Sequence, residues 1–385
     1  MLFYNQVVLS RYKNTFKLKL GGNSMKRTIA LFIVVMMLGS VVIGCSPTGQ
    51  TTQAPKTDDI PVLTVMNWKG YGSDADYSAK VFEEMYNCKV EHVYFTSLEE
   101  MLTMLRTGGL GTIDALLPNS NVLLQAIQEG LIQPIDTSKM ENYNDLREDL
   151  RNFDDAIDEN GDVYGIPWAW GTTSLGYNTD LIDEEITSWK ALWDDKYAGK
   201  VAYFDDYNTA ILTAALYLEE EDPYNPDLAK IEEALLDLKA NTRTYWSSYD
   251  DFLKPFSAGE IVIGNMWVGL ASTIYRSGDP VNYIYPVEGA VGWSDFWAIA
   301  KDAPNYELAL KWVDFMSGVQ FQTDFANDPY GAIPSNTKVL NSLSDELKMA
   351  FFIYPEPPTN LVMQASQDEA TKQAWLEVWN NVKSK

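Results

Sequence analysis

Hydrophobic positions follow two alternating spacings along most of this chain. Short apolar or alternating runs predict strands over residues 62–66, 89–95, 113–117, 200–204 and 260–267. Apolar residues three and four positions apart predict helices over residues 76–86, 121–128, 209–218, 227–239, 305–316 and 368–382. The repeated exchange of strand and helix is typical of an α/β protein with doubly wound sheets.

Local signals mark the ends of some of these helices. The run Ser97-Leu98-Glu99-Glu100 is a capping box, which predicts a helix from there through Leu105. Glycines at 108, 109 and 111 predict its end. The pattern therefore divides into elements of the lengths that globular α/β domains use, and the chain is long enough for two of them.

The beginning of the chain has a different pattern. Basic residues Lys26 and Arg27 precede a nearly unbroken apolar run over 29–43, which ends in Gly44-Cys45. This order is typical of a secretory signal, and the ending resembles the lipobox of bacterial lipoproteins. We expect residues 25–44 to be a lipoprotein signal peptide and Cys45 to carry lipid. The alternative is an uncleaved membrane helix.

Two further segments follow from that interpretation. Residues 1–24 precede the natural start at Met25, so we interpret them as an extension from a start codon assigned too early. Residues 45–59 are polar and hold Pro, Gly and Thr, which predicts a flexible tether. Either reading places the protein outside the cytoplasm, in the periplasm or at the cell surface, while attached to a membrane.

Composition excludes several classes of protein. The formal net charge of −25 disfavours nucleic acid and anionic lipid as partners and favours cations. A single histidine, His92, rules out multi-histidine metal sites and catalytic triads that do not use it. Cys88 would be the only cysteine besides Cys45, so we expect a buried thiol and no disulfide framework.

Four segments resemble the spermidine/putrescine-binding proteins of bacterial ABC importers. They read LTVMNW from residue 63 with Tyr71, VYGIPWAWGT from 163 with GYN from 176, SW, LW and KYAGKV over 188–201, and YPVEG with WSD over 285–295. Their order and spacing match over about residues 60 to 355. The resemblance implies a monomeric binding protein without cofactor, which delivers its ligand to an ABC permease of the inner membrane.

The resemblance also implies an architecture. In this family two α/β lobes, each a doubly wound sheet, close on the ligand in the periplasmic-binding-protein fold. The chain crosses between them twice, here near 170–171 and 291–294. Lobe 1 would comprise residues 60–171 plus 292–335, and lobe 2 residues 172–291 plus 336–385.

The residues themselves indicate what such a cleft could bind. Trp293 and Asp295 are two apart, so in an extended segment both side chains would point to one face. A carboxylate and an aromatic face are what an alkylammonium ion needs. From spacing alone, Trp293 could equally belong to the core and Asp295 to a turn. The resemblance assigns both to the ligand.

The family pattern extends this ligand-binding set. It implies that Trp267 stacks on the ligand, that Trp68 and Tyr71 line the cleft, that Asp206 is a carboxylate of lobe 2, and that Tyr330 is a late cleft tyrosine. Asn119 and Asn121 stand where the family has serine and tyrosine. The departures are Thr209, in place of a glutamate, and Lys69-Gly70, in place of an acidic residue. Fewer carboxylates favour a shorter diamine or another small amine over spermidine.

Other functions stay open at this point. The same scaffold could bind a zwitterionic or anionic molecule, for which Lys69 is the one basic residue among the matched positions. A glycoside hydrolase using two carboxylates is a more distant alternative. No nucleophile motif or phosphate loop occurs in the sequence. We therefore expect a binding protein and not an enzyme.

Overall fold

Twelve strands form one curled sheet within the part of the chain that this computed structural model describes, residues 60–329, 331–355 and 357–385. Segments 1–24, 25–44 and 45–59, with Cys45, and also Tyr330, lie outside the described residues. The strands are β1 Val62–Trp68, β2 Lys89–Phe95, β3 Ala115–Leu116, β4 Ile132–Gln133, β5 Ile166–Tyr177, β6 Val201–Phe204, β7 Thr242–Trp246, β8 Ile263–Trp267, β9 Asn282–Ile284, β10 Ala290–Ala300, β11 Ile333–Pro334 and β12 Leu361–Met363.

The α-helices pack on this sheet. They are α1 Val81–Tyr86, α2 Leu98–Met104, α3 Ser120–Gln128, α4 Glu148–Arg151, α5 Tyr207–Tyr217, α6 Leu228–Asn241, α7 Tyr249–Ser257, α8 Val268–Arg276, α9 Tyr306–Ser317, α10 Val319–Asn327, α11 Thr337–Ser342, α12 Asp345–Ala350 and α13 Glu369–Ser384. Short 3-10 and π-helical turns connect several of them. None of the helices in the described ranges is long and apolar enough to cross a bilayer.

The order of strands along the sheet is β2-β1-β3-β10-β5-β8-β6-β7. Strands β1, β2 and β3 are parallel, as are β6, β7 and β8, whereas the central pair β5 and β10 is antiparallel. Parallel strands with helices on both faces are what the predicted alternation of strand and helix requires. We call the part around β1–β3 the first half of the molecule and the part around β6–β8 the second half.

Strands β5 and β10 run through both halves. The early part of β5 pairs with β11, and residues 173–177 pair with β8 and β9 in the second half. Strand β10 begins beside β12 and ends beside β3 and β4 in the first half. These two strands are the connections that the sequence placed near 170–171 and 291–294. The fold is a two-lobed periplasmic-binding-protein fold.

Separate hydrophobic clusters fill the two halves. In the first half, Phe82, Trp297 and Trp312 are fully buried together. In the second, Trp189 and Tyr203 are buried with Trp375 of α13. Helix α13 therefore packs into the second half, and its tryptophans Trp375 and Trp379 are both buried there.

Some element bounds differ from the predicted ones for local reasons. The predicted strand over 113–117 is regular only at Ala115–Leu116, because the Asp114 carboxylate accepts the Thr64 N–H in place of a backbone carbonyl (2.8 Å). The predicted helix over 76–86 begins as a π-helical turn, Asp76–Lys80. At the capping box, Ser97 accepts the Glu100 N–H at 3.2 Å, but the Glu100 carboxylate turns to Thr96.

Candidate functional site

Asp295 is a buried carboxylate at the centre of the molecule. It lies on β10, opposite Ala169 of β5, and is only 6% exposed. Its Oδ2 accepts a hydrogen bond from the Tyr71 hydroxyl and its Oδ1 accepts one from Asn119 Nδ2, both at 2.9 Å. Three of the predicted site residues, far apart in sequence, thus meet at one carboxylate.

The electrostatic state of this carboxylate is unusual. Burial raises the pKa of Asp295 to about 6, against the hydrogen bonds from Asn119 and Tyr71, which lower it. Burial, followed by the charge of Asp295, raises the pKa of the Tyr71 hydroxyl. Both donors to Asp295 are neutral, and no cation of the described residues forms an ion pair with it. A buried charge without a counterion is costly, so the site favours an incoming cation.

Two tryptophans lie close to the central strands near Asp295. Trp293 is partly buried, and its ring lies so close to Gly171 of β5 that a Cβ there would be 2.4 Å from Cζ2. The indole N–H of Trp293 has no hydrogen-bond partner among the described residues. Trp267 ends β8, opposite Thr173, and packs edge-on against Phe204 and Trp246, each with a centroid distance of 4.8 Å. Both rings are held by neighbours while part of each stays accessible.

The end of β1 and the loop after it position two predicted aromatic residues of the first half, Trp68 and Tyr71. The rings of Trp68 and Phe95 meet edge-on with their centroids 4.4 Å apart, and those of Tyr71 and Trp168 meet edge-on with centroids 4.8 Å apart. Aromatic contacts of this geometry fix ring orientation. Lys69, between them, is exposed. Its ammonium is therefore in solvent, as most lysines are.

Asp206 forms a second polar group, in the second half. It caps α5 by accepting the Thr209 N–H at 2.7 Å, and Gln364 Nε2 contacts both its Oδ1 at 3.4 Å and Thr209 Oγ1 at 3.0 Å. Burial, and then the charges of Glu99 and Asp205, raise the pKa of Asp206, while the Thr209 hydrogen bonds lower it. Thr209, which stands in place of the family's glutamate, thus has a hydroxyl that accepts a hydrogen bond from the Gln364 side-chain amide.

Sequence reasoning missed Gln364 and its neighbour Ser366. Gln364 follows β12 and donates its N–H to Gly292 O of β10 at 2.7 Å. The Ser366 hydroxyl accepts the Leu124 N–H and donates to Ser120 O in the first turn of α3. This segment contacts both halves. No motif marks it, because its role depends on where β12 is placed.

A cavity of about 660 Å³ lies between α2 and α3 of the first half and α5 and α13 of the second. Asn121 and Asp206 both line it. The side-chain oxygen of Asn121 is buried without a hydrogen-bond partner among the described residues, and its N–H bonds Asn119 Oδ1 at 3.2 Å. Asn119 and Asn121 therefore link the Asp295 group to the cavity.

Seven of the nine predicted residues fall into three groups. Tyr71, Asn119 and Asp295 are in direct contact, Asn121 and Asp206 share the cavity, and Trp267 and Trp293 lie on the strands beside β5. Trp68 borders the first-half clusters and shows no contact with Asp295. In the described residues no cluster of three or more potential metal ligands occurs. The assignment of these side chains to a ligand stays a prediction.

Comparison with known proteins places this geometry in context. The family of bacterial extracellular solute-binding proteins matches residues 78–351. The spermidine/putrescine-binding periplasmic protein of Escherichia coli K12 is 30% identical over 329 residues, covering 84% of this chain and 90% of that protein. The putrescine/cadaverine-binding protein of Pseudomonas aeruginosa PAO1 is 25% identical over 372 residues, covering 91% and 98%. These relatives are substrate-binding proteins of transport systems and not enzymes, as the sequence predicted.

The same fold occurs in a solved structure. The spermidine/putrescine ABC transporter substrate-binding protein of Streptococcus pneumoniae superposes with a TM-score of 0.74 and 23% identity, over 84% of this chain and 99% of that one. At this level of identity the likeness establishes the fold alone.

Proposed function

The chain belongs to the family of bacterial extracellular solute-binding proteins, and we propose that it captures a small alkylammonium ion, above all a short diamine, for an ABC importer. The observation that carries this proposal is Asp295: a buried carboxylate with two neutral donors and no cationic partner in the part of the chain that the structure describes. A ligand ammonium would supply the missing charge.

The energies of the available contacts are sufficient for such a ligand. A charge-assisted hydrogen bond contributes about 1.5–3 kcal/mol, and a cation–π contact about 0.5–2 kcal/mol. Asp295 and Asp206 with Trp267 and Trp293 would together approach the roughly 8 kcal/mol of micromolar binding. The relatives' names, which include spermidine, putrescine and cadaverine, are consistent with an amine.

A short diamine fits this chain better than a triamine. Thr209 stands in place of the family's glutamate and is fully buried. Its hydroxyl is already bonded to Gln364. A third ammonium would therefore find one carboxylate fewer in the second half.

We place the ligand between two lobes, with residues 60–171 plus 292–335 as lobe 1 and 172–291 plus 336–385 as lobe 2. Strands β5 and β10 would be two of the hinge connections, because each pairs with strands of both halves. These bounds also make the chain pass between the lobes a third time, at 335–336. The ligand-binding residues in this proposal are Trp68, Tyr71, Asn119, Asn121, Asp206, Trp267, Trp293, Asp295 and Tyr330.

Calorimetry with putrescine, spermidine, amino acids and small sugars tests the proposal. Asp295→Asn keeps the shape and removes the charge, so amine affinity should fall by about one to two decades. Trp267→Ala should cost a similar amount through lost stacking. Asp314→Asn is the control, because Asp314 is partly buried on α9 and accepts the Asn142 N–H.

Two results would overturn the amine assignment. One is an Asp295→Asn protein that binds a diamine as tightly as the wild type does. The other is a wild type that prefers a zwitterionic or anionic compound. Thermal unfolding of each unliganded variant separates lost binding from lost folding.

We also propose that Cys45 carries lipid and anchors the protein in the periplasm or at the cell surface. The basic start, the apolar run over 29–43 and Gly44-Cys45 support this. Mass spectrometry of the protein purified from membranes should find residues 1–44 removed and Cys45 acylated. An intact N-terminus or an unmodified Cys45 would contradict it.

A further inference from the structure

Among the described residues, one ion pair crosses the cavity between the two halves. Lys372 Nζ of α13 lies 3.7 Å from Glu99 Oε1 of α2. The other two ion pairs at this cavity stay within one half each: Arg106 with Glu129, and Lys383 with Asp205. The Lys372 side chain is only 14% exposed, whereas the Glu99 side chain is 61% exposed, so the pair joins a largely covered lysine to a carboxylate at the open side of the cavity.

The cavity is acidic even with these pairs formed. Five carboxylates line it, those of Glu99, Glu129, Asp205, Asp206 and Glu369, against the cations of Arg106, Lys372 and Lys383. Asp206 has no ion-pair partner among the described residues, and the charge of Glu99 adds to burial in raising its pKa. Glu99 and Asp206 therefore face the same space from opposite halves, and Lys372 is the cation between them.

We propose that Lys372 determines ligand length: its ammonium takes the place at Glu99 that the far ammonium of a longer polyamine would need. The inference rests on the proposed amine function and deepens it. Asp295 would hold one end of the ligand, and Asn119 and Asn121 lead from there toward the cavity. A ligand that extends past Asp206 would meet the like charge of Lys372.

The chemistry of the cavity favours this role over anion binding. Each of its three cations already has a carboxylate partner, and two carboxylates exceed the cations. A ligand carboxylate would add a negative charge to that excess. Removing Lys372 would instead free Glu99 for a ligand cation. Asn121, which lines the same cavity, has a buried side-chain oxygen without a hydrogen-bond partner among the described residues.

The test compares affinities for putrescine and spermidine by calorimetry at fixed ionic strength. Lys372→Met should raise the affinity for spermidine relative to putrescine about tenfold. Lys372→Gln, which also removes the charge, should do the same and covers the case in which one variant folds poorly. Lys190→Met is the matched control, because Lys190 pairs with Glu219 on an exposed part of the second half at 2.8 Å. The ratio of its affinities for spermidine and putrescine should equal that of the wild type.

A double variant tests whether Glu99 is the carboxylate that becomes available when Lys372 is replaced. In Lys372→Met with Glu99→Gln, the gain for spermidine should disappear, because the freed carboxylate is no longer present. A gain that persists in the double variant would overturn the inference, as would a ratio that does not change in either Lys372 variant.

Other outcomes separate this inference from the amine function. If the wild type binds putrescine but Lys372→Met leaves the ratio unchanged, only the inference fails. If no protein of the set binds an amine, the proposed function fails and takes the inference with it. If 4-aminobutyrate binds the wild type and Lys372→Met abolishes that binding, Lys372 is a carboxylate anchor and both are wrong.

Discussion

At the scale of single residues, the pKa of Asp295 makes amine binding depend on pH. Burial raises that pKa to about 6 in the unliganded protein, while alkylammonium groups stay charged up to about pH 10. Only the ionised carboxylate attracts the ligand. We therefore expect affinity for a diamine to be nearly constant above pH 7 and about tenfold lower at pH 5.

Calorimetry from pH 5 to pH 8 measures this dependence, with Asp295→Asn as the control. The variant has no carboxyl group to titrate at this position, so most of the slope should disappear. A wild-type affinity that is unchanged between pH 5 and pH 7 would contradict the role of Asp295 as ammonium anchor.

The raised pKa of Asp295 affects stability in the opposite direction: binding strengthens as the pH rises, whereas the free energy of unfolding decreases. In the unfolded chain an aspartate titrates near 3.9, so between about pH 4 and pH 6 the folded protein binds the Asp295 proton more tightly. The contribution of this group to the free energy of unfolding therefore falls as the pH rises through that window. A bound amine should remove this loss, because it compensates the buried charge.

At the scale of elements, the contact between β5 and β10 controls the position of Trp293. A methyl group at Gly171 would lie 2.4 Å from Trp293 Cζ2 and 2.9 Å from Val268 Cγ1. Gly171→Ala should displace the indole, lower amine affinity at least about tenfold, and cost about 1–3 kcal/mol of stability through overpacking. Calorimetry and denaturant unfolding measure the two effects.

Gly176→Ala on the same strand is a matched control. Its methyl group would meet the flexible end of Met266, Cε at 2.4 Å and Sδ at 2.6 Å, which can move aside. The control should keep wild-type affinity and lose less stability. Equal loss of affinity in both variants would show that β5 as a whole, and not the Trp293 ring, is responsible.

What the sequence could predict at this scale depended on the range of the interactions. Helix α3, predicted over 121–128, and strand β2 have nearly the predicted bounds, because their patterns are local. Strand β5 was not assigned as a strand: all twelve residues are buried, so it lacks the alternation of a half-exposed strand. Gln364 and Ser366 have no local signal, since only tertiary contacts bring them to Asp206 and α3.

The candidate site shows the same limit. The spacing of Trp293 and Asp295 predicted two side chains on one face, and family resemblance added Tyr71 and Asn119. The sequence could not predict that these side chains meet at Asp295, because the hydrogen bonds involved join residues 224 and 176 positions apart. The ion pair of Lys372 with Glu99 is equally non-local. It arises from the packing of α13 beside the first half.

At the scale of the whole molecule, the negative net charge is complementary to a cationic ligand. The net charge of −25 raises the local concentration of cations and speeds their encounter with the protein. The carboxylate excess at the cavity extends this field to the region where the halves meet. An acidic surface alone would also serve solubility, so the buried Asp295 remains the stronger argument for a cationic ligand.

The arrangement of the central strands indicates how the molecule would close on that ligand. Gly171 pairs with Trp293 and Thr172 with Gly292, so two glycines lie at adjacent levels of β5 and β10 where the halves join. Backbone without Cβ bends there with the least steric resistance. A diamine held by Asp295 and Asp206 would draw the halves together.

We therefore expect small-angle scattering to give a smaller radius of gyration with saturating diamine than without it. Asp295→Asn at the same diamine concentration should keep the unliganded value, and a wild type that binds the diamine without any compaction would exclude closure between the halves.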